Sequence, residues 1–390
     1  MKRIIAQVGT FIKETDKFLL ALCFLLSGFG ILMVQSATRH SFADAAISRD
    51  ALVMTLAVSI GIVIALLISI VEYTFIVRLW PLIGAVCVVL MILTFIFGVG
   101  PESRSDARTW LDLGTVGGVN LYFQPSELVK IGFIITFAAH LDAVKEHLNE
   151  IKTLALLVLH GAVPVLLVYI SGDMGSSLIF MLIFVVMLFT AGLSMRWFLA
   201  GAVAVAVAVP VAWRFVLSGI QKDRILALIH PEDYEDIIYQ QQQGLRAIGT
   251  GGFLGKGLFN GWYTQNGYVP EQQNDMIFSA VGEEFGFVGC VLVLAVFTVL
   301  IVHIARTGRR FRDGTVDLLC SGVAAMIASQ VIVNVGMVLQ LLPVIGITLP
   351  FMSAGGSSNL CIYIAVGLVL SLRRSTDERD IEKVRIRAAS

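Results

Sequence analysis

The stretch GYVPEQQNDMIFSAVGEEFGFVG, residues 267–289, places Glu271, Asp275, Glu283 and Glu284 at the edge of a long apolar run. An unpaired charge buried in hydrocarbon costs several kcal/mol, so ionisable groups at such a boundary are functional candidates by default. Pro270 blocks any helix continuing from before it, and Asn274 or Asp275 can cap a helix whose apolar body begins at Met276. Asp275 then lies in a water-exposed mouth, within reach of water-borne groups, while Met276 enters the bilayer. Glu283 and Glu284 lie about 12–14 Å further along that helix. Their side chains point about 100° apart, so at least one needs a polar partner from another helix or an internal cavity. A protonated structural glutamate is the plainer account.

Three other stretches hold polar groups among apolar ones. In ARTWLDLGTVGGVNLYFQPSELVKIGF, residues 107–133, Pro125 stands where a helix starts, with Ser126 and Glu127 in its first turn. Glu127 and Lys130 are three apart, hence neighbours on one helical face. They form either a functional pair or a structural ion pair whose lysine snorkels outward. Trp110 and Arg108 are equally readable as interface anchors. In YISGDMGSSLIF, residues 169–180, Asp173 can cap the next helix, or face the same outer cavity as Glu127 and Lys130 and orient the lysine or a metal. In NVGMVLQLLPVIGITLPFMSAGGSSNL, residues 334–360, Pro343, Pro350, Gly346, Gly355 and Gly356 break the helix. Broken backbone at membrane depth is tolerated where it is buried in protein or lines a cavity. Gly355, Gly356, Ser357 and Ser358 offer N–H and hydroxyl donors to an anionic ligand, or simply form a re-entrant hairpin.

The elements that must position these groups are membrane helices. Hydrophobic residues make up 57% of the 390 and charged ones 14%, well below the roughly one quarter usual in soluble domains. The 28 basic and 28 acidic residues balance, which gives no sign of a nucleic-acid partner. Apolar stretches of spanning length occur at roughly 17–36, 51–71, 79–99, 126–142, 153–171, 175–193, 197–215, 276–304, 317–341 and 346–372. The pattern predicts an all-α polytopic membrane protein of about ten helices. Taking the termini and the even loops together, one side carries 18 of the 28 basic residues and the other 9, with Lys130 inside a span. The positive-inside rule makes both termini cytoplasmic. Residues 1–16 read as a polar leader without a small-residue cleavage site, 17–372 as one transmembrane domain, and 373–390 as a basic cytoplasmic tail. The five cysteines lie singly in apolar segments and read as small core residues. Two outer loops are long, 100–125 and, between helices 7 and 8, 216–275. Loops of that length are usually functional, and the second is too rich in aromatics for a disordered linker. The aromatics predict a loop lying on the membrane surface.

FQPSELVK (123–130), GDMGSS (172–177), AIGTGGFLGKGL (247–258), PEQQNDMIFSAVGEE (270–284) and LPVIGITLPFMSAGGSS (342–358) resemble, in order, motifs of the SEDS (shape, elongation, division and sporulation) family of bacterial cell-wall proteins. The similarity spans about residues 16–374. The resemblance implies a multi-pass protein of the bacterial cytoplasmic membrane, a glycosyltransferase that polymerises lipid II into peptidoglycan at the outer face. It also implies a class B penicillin-binding protein as transpeptidase partner. Asp275 falls on the family's catalytic aspartate, and Trp110, Glu127, Lys130 and Asp173 match positions implicated in function. Gln273 and Asn274 replace the common histidine and threonine, Met276 replaces phenylalanine, and Ala354 replaces tyrosine. These departures bear on the hydrogen bonding around the carboxylate. The segment GWYTQNGYVPEQ looks more like the RodA (elongation) branch than the FtsW (division) branch; a division or sporulation paralogue is the alternative.

On that resemblance, Asp275 is the base that takes a proton from the acceptor 4-hydroxyl, or the ligand of a divalent cation, Mg or Mn. Lys130, Arg224 and Arg246 are candidate cations for the departing diphosphate. Glu271, Gly355, Gly356 and Ser357 are candidate supporting or substrate-binding residues. The rival from another class is a lipid II flippase or transporter, favoured by Glu283 and Glu284 at membrane depth. A third reading is a non-catalytic scaffold for a synthase partner.

Overall fold

The computed structural model describes residues 15–41, 47–100, 107–116, 119–310 and 313–389. Its elements run α1 (Lys17–Ala37), α2 (Arg49–Ile68), α3 (Tyr73–Arg78), α4 (Trp80–Phe97), β1 (Leu111–Val116), β2 (Val119–Phe123), α5 (Pro125–Ala143), α6 (Ile151–Ile170), α7 (Met174–Thr190), α8 (Met195–Phe215), α9 (Gly219–Ile229), α10 (Glu235–Gly251), α11 (Trp262–Gln265), α12 (Ile277–Arg310), α13 (Gly314–Val338) and α14 (Gly356–Ala389). Seven of these are long and apolar enough to cross a membrane: α1, α2, α4, α6, α8, α12 and α13. The charged α5, the shorter α7 and the apolar first part of α14 fill the three remaining expected spans.

Polar residues at the predicted boundaries start the helices. Asp16, Ser48, Asp173 and Asp313 each accept a backbone N–H from the first turn of α1, α2, α7 and α13. Those turns have no internal partners for their N–H groups, so each cap fixes where its helix begins. Pro125 occupies the first turn of α5, where its missing N–H costs nothing.

Several contacts between distant segments lie at one end of the bundle or the other. His303 Nε2 meets Asp16 Oδ2 at 2.7 Å, Tyr73 Oη donates to Asp313 Oδ2 at 2.7 Å, and Ser371 Oγ donates to Val71 O. All six residues belong to the side assigned to the cytoplasm. At the other end Ser36 Oγ donates to Glu284 Oε1 at 2.7 Å and Arg108 N donates to Ser171 O at 2.8 Å. Alternation of ten spans requires this sorting. Within the bundle α13 is central, packed by α12, α7 and α5, while α14 lies along α2. Along α8, by contrast, no residue is buried.

Three features differ from the sequence expectation or extend it. The last span starts at Gly356 and not at residue 346, because residues 339–355 form no helix. Hydropathy averages over this stretch, whereas Pro343, Pro350 and Gly346, at φ 72°, interrupt it. Within the first long outer loop, β1 and β2 pair as an antiparallel hairpin, Leu111 opposite Phe123, so the described residues of this all-α chain include a small sheet. The second long outer loop is helical, holding α9, α10 and α11, and α10 packs on α12. Just inside its outer end α12 kinks at Gly286, φ 66°, beside Phe253, Leu254 and Gly255.

Candidate active site

Asp275 ends a tight turn that Pro270 opens. Glu271, at φ 53°, accepts the N–H groups of Asn274 and Met276 on its carbonyl, and its carboxylate accepts from Asn274 Nδ2 at 2.8 Å. The turn therefore presents three successive carbonyls outward, and each is met by a group from the end of the chain. Ala354 N donates to Gln273 O at 2.9 Å, Ser353 Oγ to Asn274 O at 2.8 Å, and Asn334 Nδ2 to Asp275 O at 2.8 Å. Asn334 Nδ2 also donates to Ile347 O at 2.7 Å. The half-buried Asp275 side chain faces Gly346, where a β carbon would stand 3.4 Å from Oδ2. Two residues before it, Val344 O accepts from Arg224 Nη1 at 2.9 Å. The non-helical segment 343–355 is thus a hub, and the aspartate is locked to it through backbone.

The other side of the hub holds the remaining motifs. Ser357 Oγ donates to Tyr122 O at 2.9 Å and accepts from Gln124 N at 3.3 Å, tying the start of α14 to the hairpin. Gln124 Nε2 and Ser126 Oγ donate to Asp173 Oδ2 at 2.9 and 3.0 Å, while Oδ1 caps α7 through Ser176 N at 2.8 Å. Asp173 is therefore a helix cap that also fixes the entry of α5; the lysine's carboxylate partner is Glu127. Lys130 Nζ meets Glu127 Oε1 at 2.7 Å with the lysine 0% exposed, so it does not snorkel. At the start of α7, Gly175 packs against Ile345 O and Ile347. Trp110 pairs its backbone with Val99 and sets its ring 6.1 Å from that of Tyr122.

Asp275, Arg224, Asp173, Glu127, Lys130 and Ser357 thus belong to one connected assembly. Arg246 does not join it: it is exposed on α10, on the side of the helix away from Gly244, Ala247 and Gly251, which pack inward. Gly355, Gly356 and Ser357 lie partly buried at the start of α14. The Ser357 hydroxyl is engaged with the hairpin, and Gly355 O accepts from Asn359 Nδ2 at 2.8 Å. Glu271 braces the turn from its exposed side.

The two deeper glutamates find their partners in the outer loop. Glu283 accepts from Tyr263 N at 2.8 Å on Oε1, and from Thr264 N at 2.8 Å and Thr264 Oγ1 at 2.6 Å on Oε2, so it caps α11 from below. Glu284 Oε1 accepts from Ser36 Oγ and from Gln265 Nε2 at 3.0 Å. Residues 255–257 add backbone bonds, Lys256 N to Glu283 O at 3.0 Å and Gly257 N to Glu284 O at 2.9 Å. The pair fastens the loop to α12 and α1. Asn334 went unnoticed in the sequence, although an amide inside an apolar helix is itself a signal of a polar partner.

A family model described as cell cycle protein, covering FtsW, RodA and SpoVE, matches residues 17–378. The chain belongs to this family. It is 32% identical to the peptidoglycan glycosyltransferase MrdB of Escherichia coli over 75% of this chain and 77% of that one. To a probable peptidoglycan glycosyltransferase FtsW of Trichlorobacter lovleyi it is 33% identical, over 92% and 93%. Stage V sporulation protein E of Bacillus subtilis is also 33% identical, over 92% and 97%. Among solved structures, the chain matches a component of a peptidoglycan synthase complex with TM-score 0.79 at 27% identity, covering 93% of this chain and 98% of that one. The fold is shared with Thermus thermophilus RodA, TM-score 0.66 at 24% identity, over 92% and 97%. The protein is a multi-pass bacterial membrane protein.

Proposed function

We propose that this protein polymerises lipid II into glycan strands at the outer membrane face, with Asp275 as general base. The observation that carries the reading is the placement of Asp275: half-buried at the outer end of α12, against Gly346, with its turn locked to the segment where the other motifs meet. The carboxylate takes the proton of the acceptor 4-hydroxyl as that oxygen attacks the donor anomeric carbon and the polyprenyl diphosphate leaves. The donor is an α-linked diphosphate and the strand is β-linked, so the step inverts the anomeric carbon. Arg224, held at Val344 beside Gly346, is placed to offset negative charge on the leaving group. Lys130 is too deeply buried to reach a ligand and acts through Glu127.

A divalent cation fits in one way only. The cluster of three metal-competent groups among the described residues, His230, Glu232 and Asp233, is exposed and does not include Asp275. Asp275 would hold Mg or Mn together with substrate diphosphate oxygens, as magnesium sites with few protein ligands do. Such an ion would supply charge to the leaving group.

The elongation role rests on the segment 261–272 and on the likeness to MrdB; matches to FtsW and SpoVE relatives are of similar strength. A class B penicillin-binding protein is the proposed partner, in keeping with the synthase complex among the structural relatives. Glu283 and one oxygen of Glu284 fasten the outer loop, which weighs against the transporter reading.

The test is polymerisation by the purified protein supplied with lipid II, a divalent cation and its cognate transpeptidase, wild type beside Asp275→Ala, with products resolved by chain length. Polymer from the wild type and none from the variant is the expected result. Polymer from both would remove Asp275 from the mechanism, and none from either would favour a carrier or scaffold.

A further inference from the structure

Asn334 is wholly buried in the apolar outer half of α13, between Val331 and Val338. Its Nδ2 spends both hydrogens on carbonyls, Asp275 O at 2.8 Å and Ile347 O at 2.7 Å, which only an NH2 group can do, so the orientation of the amide is fixed. Its Oδ1 is buried without a partner. In a regular helix start the carbonyl of Asp275 would accept the N–H of Ser279, four residues on. Here Ser279 N donates to Met276 O at 2.9 Å instead, and Asn334 takes the carbonyl of Asp275. The same NH2 group grips the peptide beside Gly346, the wall against which the Asp275 carboxylate rests.

We infer that Asn334 is a positioning residue: it holds Asp275 out of the helix and sets its carboxylate against the hub. The inference rests on the reading of Asp275 as the base. Without the amide, the Asp275 carbonyl is drawn into the helical pattern of α12, its peptide turns, and the side chain leaves the place where it meets the acceptor hydroxyl. Substrate contacts made elsewhere are unchanged, so the loss falls on kcat and not on KM.

The experiment is a graded series in the full chain with its transpeptidase: Asn334→Ser, which keeps one donor, and Asn334→Ala, which keeps none. Gln241→Ala serves as the stability control. Gln241 Nε2 likewise bridges two carbonyls, Met337 O at 2.6 Å and Leu342 O at 2.8 Å, away from Asp275. Initial rates are measured against lipid II concentration, with thermal midpoints and Asp275→Ala in parallel. The expected result is a kcat lowered by 10- to 100-fold in Asn334→Ala and by less in Asn334→Ser, with KM within twofold, while Gln241→Ala at a similar midpoint keeps its kcat. Unchanged kcat in Asn334→Ala beside an inactive Asp275→Ala overturns the inference and leaves the base assignment standing. Equal losses in Asn334→Ala and Gln241→Ala reduce Asn334 to a structural role. An active Asp275→Ala overturns the assignment beneath it.

Discussion

Gly346 lies directly against the carboxylate of Asp275, with room for a β carbon only at 3.4 Å from Oδ2. Its φ of 72° is one that residues with a side chain adopt at a cost of about 1–2 kcal/mol. Gly346→Ala should therefore both strain the hub and crowd the base. The expected outcome is at least a tenfold drop in polymerisation rate with a loss of about 1–2 kcal/mol in stability. Rates and thermal midpoints of the purified variant check this; a wild-type rate would show that the space around Oδ2 is not used.

Glu283 and Glu284 are neighbours in sequence with unequal structural roles. Glu283→Gln exchanges one acceptor oxygen for a donor that faces other donors, Tyr263 N or Thr264 N, so one buried bond becomes a repulsion. A loss of about 2–3 kcal/mol is expected, the range for charge-assisted bonds. Glu284→Gln keeps an oxygen for Ser36 and Gln265 and should cost about 1 kcal/mol or less. Thermal melts of the two single variants decide the matter, and reversed sensitivities would contradict the anchoring role given to Glu283.

The Glu127–Lys130 pair is buried, so removing one partner strands the other. Lys130→Ala should destabilise by about 3–5 kcal/mol. A double change to Glu127→Gln and Lys130→Met removes both charges at similar volume and should recover most of that stability. If the pair also serves the reaction, the recovered protein stays slow. Full activity in the double variant would make the pair purely structural.

Chelation separates the two ways in which Asp275 can act. Treatment with EDTA should slow polymerisation at least tenfold, with recovery on adding Mg or Mn, because Arg224 alone leaves the diphosphate charge largely unmet. A rate indifferent to EDTA would place the whole burden on Asp275 as base and on Arg224.

Hydropathy made the spans legible, because a bilayer selects on local composition. Asp275 was legible for a similar reason, a carboxylate beside Pro270 at the start of an apolar run. The hub was not. Its bonds join the carbonyls of Gln273, Asn274 and Asp275 to Ala354, Ser353 and Asn334, and such long-range bonds leave no periodicity to read. For the same reason Arg246 looked as suitable as Arg224. Charge type is written in the sequence, but which face of a packed helix carries it depends on Gly244, Ala247 and Gly251 meeting α12.

Because the chain enters the membrane as it is synthesised, the aspartate and the hub do not come into being together. The hydroxyl that holds Asn274 O belongs to Ser353, 79 residues later, and the N–H that holds Gln273 O belongs to Ala354. At about 5–20 residues per second, several seconds separate them. During that interval the nascent protein already displays Asp275 at the outer surface but lacks part of the set of bonds that aims it. A chain broken off before Ser353 would insert most of its helices and carry the acidic residue, yet remain inert, so that only a finished molecule can begin to build wall.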